Sequence, residues 1–156
     1  MGLEKLRSLL PEDSKAVLYE SLRGKKRGAL FKNLSSLCVL YETKIDNKKQ
    51  GHYICLIPRA HSLEYFSSLG RSPTDEMNAL HQNPSVFREL LGKNYTYNRK
   101  TLQLSSYKVE DCGFWVIARA ILHDLKLAAF QRLFTPRALR SSDEVLAVMS
   151  GLLANR

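Results

Sequence analysis

Cys112 is followed by Gly113 and opens the most apolar stretch of the chain, CGFWVIARAILHDL. Apolar residues recur round most of the circumference of that stretch, which predicts a buried helix. A thiol at a helix N-terminus feels the positive end of the macrodipole and unpaired backbone N–H groups, and both favour the thiolate. The glycine beside it lets another backbone come close. His52 follows Gly51 at the junction between a polar loop and the apolar run Tyr53 to Pro58. A strand end is a rigid place from which to present a general base. Together a cysteine and a distant histidine suit acyl transfer, in which the thiolate attacks a carbonyl and the imidazolium protonates the leaving amine. His61 falls in a turn, His81 on a helix surface and His123 near a helix end, none of which needs chemistry. Cys38 and Cys55 lie inside apolar strands and read as core.

The elements that must position this pair alternate in period. Leu3 to Leu10 and Ala16 to Leu22 have helical spacing. Leu37 to Tyr41 and Tyr53 to Pro58 read as buried strands joined by a polar, hairpin-like connection from Lys44 to Gly51, and Ser62 to Ser67 reads as a third strand. Thr74 to Gln82 and Ser85 to Leu91 return to helical spacing. Tyr95 to Tyr97 and Thr101 to Ser105 alternate like a short strand. Leu125 to Phe134 and Ser142 to Leu153 are amphipathic helices that follow the Cys112 helix. Neither a repeat nor a linker interrupts the 156 residues, so residues 1–156 are expected to form one α+β domain, with a mixed, largely antiparallel sheet flanked by helices.

The chain carries a net charge of +9 with a pI near 9.6. More than half of that excess lies in residues 1–50, densest at Lys25, Lys26 and Arg27 and again at Lys48 and Lys49. Such a charge suits nucleic acid or another anionic surface and is silent about fold. The opening residues Glu4, Lys5 and Arg7 break any signal-like apolar run, and no stretch approaches the roughly 20 apolar residues of a membrane span. Three cysteines without regular spacing make a disulfide framework improbable and point to a reducing, intracellular compartment. His52-x-x-Cys55 is half of a zinc-ligand spacing and lacks a second pair, so neither a metal nor another cofactor is expected.

Four motifs follow one another along the chain: Gly51-His52-Tyr53, then Leu63-Glu64-Tyr65-Phe66-Ser67-Ser68-Leu69-Gly70, then Leu102-Gln103, then Asp111-Cys112-Gly113. In this order they resemble the adenain-like cysteine proteases of DNA viruses, found in adenoviruses, virophages and Polinton-like elements. The motif cluster covers about half of the chain. The resemblance implies a papain-like or adenain-like fold with the histidine ahead of the cysteine. It makes Cys112 the nucleophile and His52 the general base, with Gln103 lending a side-chain amide to an oxyanion hole beside the Cys112 N–H. It further implies viral structural-protein precursors as substrates, viral DNA as a scaffold for the basic surface, and location in the virion and the infected cell. A protease of ubiquitin-like modifiers and a non-catalytic, basic nucleic-acid-binding virion protein are the rival readings.

The sequence departs from the family at the residue that orients the histidine, where Ser67 stands in place of a carboxylate. Glu64, three residues earlier, points to the opposite face of a strand and cannot substitute. A serine hydroxyl can hold the ring without offsetting an imidazolium charge. Two outcomes are therefore open: a Cys–His dyad assisted by Ser67, or a scaffold that has lost its activity.

Overall fold

The computed structural model describes residues 1–103, 109–134 and 151, with the side chains of 109–111 left aside. The predicted helix from Ser142 to Leu153 and the residues 104 and 105 of the predicted strand lie outside the described residues, apart from Gly151. Five strands form one sheet in the order of the chain: β1 (Ser14–Leu18), β2 (Ser36–Ile45), β3 (Lys48–Pro58), β4 (Leu63–Phe66) and β5 (Tyr95–Tyr97). The central three pair antiparallel, and the two edge strands pair parallel to their neighbours. The architecture is α+β with a mixed sheet, as the element pattern predicts.

Alternation along the strands sorts side chains into two cores. Cys38, Tyr53, Cys55 and Phe66 face one side, where α1 (Leu3–Leu9), α5 (Val109–Ile121) and α6 (Leu127–Arg132) cover them. Val39, Tyr41, Ile54, Leu56 and Tyr65 face the other, beneath the single turn α2 (Arg27–Leu30), α3 (Pro73–Ala79) and α4 (Arg88–Leu91). The sheet is thus the middle of three layers.

Two elements differ from their sequence reading. Residues 14–18 form a strand rather than the start of a helix, and only Tyr19–Leu22 turns, as a 3₁₀ segment. Pairing overrides the helical spacing here. The Ser35 N–H donates to Asp13 O, and the hydroxyls of Ser14 and Ser36 meet at 2.6 Å, which pins β1 in register along β2. The polar stretch from Lys44 to Gly51 is a hairpin whose strands run through it. Only Asp46 and Asn47 form the turn, both at positive φ (52° and 62°), the conformation of a two-residue type I′ turn. Those strand ends are polar because they extend beyond both cores into solvent.

Candidate active site

The long hairpin and the short third strand create the site. In the β3–β4 register Phe66 lies opposite Cys55, and β4 ends there, so Gly51, His52 and Tyr53 run past its end. The first turn of α5 reaches this overhang from the other layer. The Tyr53 backbone N–H donates to Cys112 Sγ at 3.3 Å. His52, with the parity of Ile54 and Leu56, faces the layer of α3. The sheet end is where a group from α5 and a group from α3 can meet one ring.

Cys112 and His52 are both fully buried. The thiol acts on the imidazole by charge and by a side-chain hydrogen bond. The Nε2 edge of the ring meets Ser67 Oγ at 3.0 Å and Glu76 Oε1 at 3.2 Å. Burial by itself would disfavour a charged ring. The negative charges of Glu76 and Cys112, and hydrogen bonds to both, outweigh it and push the His52 pKa up to about 10. At neutral pH the imidazole therefore keeps its proton.

Glu76 is the residue that sequence reasoning misses. Ser67 does touch the ring as the motif alignment expects, but the carboxylate that offsets the imidazolium comes from α3. The ring therefore meets a hydroxyl and a carboxylate together. Glu76 is fully buried, and its Oε1 also accepts from the Tyr65 hydroxyl at 3.1 Å. Early acids in a helix read naturally as partners of the macrodipole, which describes the exposed neighbour Asp75. A signal was nevertheless present. Pro73, Glu76, Met77 and Leu80 occupy one helix face at i, i+3, i+4 and i+7, all four are buried, and one is charged. Glu64, in contrast, points to the opposite layer as expected, where it meets Arg119.

The loop between β4 and α3 is tied to the segment that carries Gln103. The Asn98 side chain accepts from Ser67 N–H at 2.9 Å and donates back to Ser67 O. Leu102 and Gln103 both donate their N–H groups to Ser68 O, at 2.8 and 3.1 Å. Gly70 makes the closeness possible. At φ +70° it lies so near Lys100 that an added Cβ would come within 2.6 Å of the Lys100 carbonyl carbon. Gln103 is buried, and Ser68 Oγ donates to its Oε1 at 2.5 Å. That bond assigns the oxygen end of the amide to Ser68. The Asp111 side chain lies outside the described residues.

The other sequence-predicted groups separate from this cluster. Cys38 and Cys55 are directly opposite on β2 and β3, buried and unoxidised. A hydrogen bond to Cys55, burial and the adjacent thiol's charge push the Cys38 pKa well above the ordinary value, so it stays a thiol. Among the basic residues, Arg27 spends its guanidinium on the carbonyls of Leu90, Leu91 and Asn94, anchoring α2 to the end of α4. This role differs from the surface role its sequence context suggests. Lys49 pairs with Glu42 at 2.9 Å, while Lys25, Lys26 and Lys48 are exposed.

No protein-family profile matches the chain, and no curated protein matches it. Among solved structures, it is similar to the SUMO protease Ulp1 with its catalytic cysteine oxidised to a sulfinic acid. That likeness has 12% identity and a TM-score of 0.41, over 85% of this chain and 73% of that one. A second Ulp1 structure, with the cysteine as a sulfonic acid, gives 11% identity and a TM-score of 0.41 over 83% and 72% of the two chains. The central domain of the Lpg1148 protein from Legionella pneumophila also gives 11% and 0.41, over 77% of this chain and 73% of that one.

Proposed function

We propose that this chain is a cysteine peptidase in which Cys112 is the nucleophile, His52 the acid and base, and Glu76 the group that orients and charges the histidine. The observation that carries the reading is the single buried imidazole held between the thiol of Cys112 and the carboxylate of Glu76. With Nε2 committed to Glu76 and Ser67, Nδ1 is the ring nitrogen left to serve the thiol.

In this reaction the Cys112 sulfur attacks a peptide carbonyl carbon, and the oxygen gains the negative charge. The Cys112 N–H and the Gln103 amide stabilise it. The His52 proton passes to the departing amine, which leaves a thioester on Cys112. His52 then takes a proton from water, the hydroxide cleaves the thioester, and an acid product and the free thiol return. Glu76 keeps its negative charge throughout and steadies the imidazolium each time it forms.

The motif resemblance supplies the finer reading. The substrates are structural-protein precursors of a DNA virus, cut during particle maturation in the infected cell, and the exposed lysines Lys25, Lys26 and Lys48 hold the enzyme on packaged DNA. The test pairs a precursor extract with a thiol alkylator. Cleavage by the unaltered protein, abolished by Cys112→Ala and by prior alkylation of Cys112, is the expected result. A precursor left whole by the folded, unaltered protein refutes the peptidase reading. DNA binding that weakens steeply with salt while Cys112→Ala leaves every function intact favours the non-catalytic rival.

A further inference from the structure

The geometry points to Tyr65, backed by Tyr41, as a positioning residue that fixes Glu76 against His52, a role that rests on the peptidase reading above. Glu76 Oε1 lies 3.1 Å from the Tyr65 hydroxyl and 3.2 Å from His52 Nε2, so one carboxylate oxygen accepts from both. Its Oε2 has no hydrogen-bond partner among the described residues. The phenol is therefore the neutral donor that decides where the carboxylate sits.

The next hydroxyl sets the direction of the chain. Tyr41 Oη and Tyr65 Oη are 3.0 Å apart, and since Tyr65 gives its proton to Glu76, Tyr41 donates to Tyr65. Protons thus point one way, from Tyr41 through Tyr65 to the carboxylate, with His52 pointing in from the other side. Each bond in such a series polarises the next. The strands deliver these groups without any loop: Tyr41 on β2 lies directly opposite His52 on β3, and Tyr65 on β4 lies opposite Leu56. Phe87 stands edge-on to both phenol rings, 6.2 and 6.5 Å from their centroids, and limits their rotation.

Among the described residues, His52 from β3 and Tyr65 from β4 meet Glu76, with Tyr41 behind Tyr65 on β2 and Cys112 from α5 across the imidazole. Burial above all holds both phenols well above their usual pKa, so they remain donors at every pH at which the imidazole could titrate below about 10. Two uncharged donors steady the carboxylate without neutralising it. A lysine or arginine in their place would cancel the charge that His52 needs.

The test compares three tyrosines of one aromatic cluster. Tyr19 packs tilted against Tyr41, with ring centroids 4.9 Å apart, yet its hydroxyl donates to Asn83 O and lies against Met77 Sδ. Two readouts are used: the rate of Cys112 alkylation by iodoacetamide at pH 6.5, followed by mass spectrometry, and the downfield proton resonance of the His52 Nε2–H. Tyr65→Phe is expected to slow alkylation roughly ten-fold and to shift the resonance upfield, because a bond to a charged acceptor is lost. Tyr19→Phe is expected to leave both near the unaltered values. Tyr65→Phe added to Glu76→Gln should slow the reaction no further, since the phenol acts through the carboxylate.

Equal effects of Tyr65→Phe and Tyr19→Phe, or a full Tyr65→Phe effect in the Glu76→Gln background, would overturn the assignment. If Tyr65→Phe lowers the melting temperature far more than Tyr19→Phe, Tyr41→Phe decides. It keeps Tyr65 in place, and a slowing of about two- to three-fold supports the role while an unchanged rate refutes it. Failure of the peptidase reading looks different. No precursor would then be cleaved by the folded, unaltered protein, whereas the downfield resonance and its upfield shift in Tyr65→Phe would still report the link from Tyr65 to His52.

Discussion

Among the described residues two glutamates are buried, Glu64 and Glu76, on opposite faces of the same sheet and in opposite surroundings. Glu64 on β4 points into the layer of α5 and takes a bidentate grip from Arg119, with Nε and one terminal nitrogen at 2.9 and 3.1 Å. Arg59 adds a contact at 3.0 Å, and the Arg119 guanidinium also donates to Leu122 O and Leu125 O and stacks on the Phe130 ring at 4.8 Å. Both carboxylate oxygens are occupied, and the cation cannot release its proton at any accessible pH. Glu76 faces a histidine, shares one oxygen between two donors, and leaves the other without a partner among the described residues. A carboxylate saturated by arginine is a rivet between strand and helix. One that leans on an imidazole is tied to a group that can gain and lose a proton.

The sharpest way to break this comparison is to neutralise each acid in turn. Glu76→Gln should lower kcat per folded molecule by about 10²–10⁴, measured on any cleavable precursor. Glu64→Gln should do the reverse, retaining kcat per folded molecule while losing about 3–5 kcal/mol of unfolding free energy in urea, because Arg119 is left as an uncompensated buried charge. A large rate loss from Glu64→Gln without unfolding would erase the distinction.

A pH series asks the same question without mutation. The folded-state pKa of His52, about 10, lies above its ordinary 6.5. The stabilisation it contributes is fully present below pH 6.5 and is lost as pH rises through about 10. Urea titrations should therefore show stability falling across that window, and His52→Gln should flatten the fall. Next in size, Gly70→Ala should cost about 1–3 kcal/mol, since the new carbon meets Lys100 backbone at a positive φ. Its loss of activity should come through the Gln103 segment, as a fall in kcat with little change in KM. The smallest effect belongs to Ser67→Ala, a loss of about three-fold in kcat, because the hydroxyl supports the ring but carries no charge. A loss as large as that of Glu76→Gln would move the orienting role back to Ser67.

What the amino-acid sequence discloses follows the range of the interactions involved. The three central strands are legible because their apolar runs are local, and the approach of Cys112 to His52 is anticipated because motif order is one-dimensional. The contact of Ser67 with His52 is likewise anticipated by alignment. Residues 14–18 are misread because their strand character resides in β2, which lies some twenty residues away. Glu76 is overlooked for a related reason: its buried face is a property of α3 packed on β4, and its neighbour Asp75 shows how an acid at nearly the same position can simply be exposed. Arg27 reads as surface charge until the carbonyls at the end of α4 are seen around it.

The closure of the site has a kinetic consequence. Neither the Cys112 thiol nor the His52 ring has solvent-accessible surface, and the Met1 side chain sits against Gly113, with its sulfur 3.3 Å from where a β-carbon would stand. The Tyr53 hydroxyl fastens the same segment through Met1 O at 3.3 Å. Any reagent, water included, meets the sulfur only during an opening, so an observed rate is the product of an opening equilibrium and an intrinsic reactivity. Reagents of graded size then separate the two factors. A small alkylator samples brief breaches, while a bulky one needs a wider opening, and the ratio of their rates measures its amplitude.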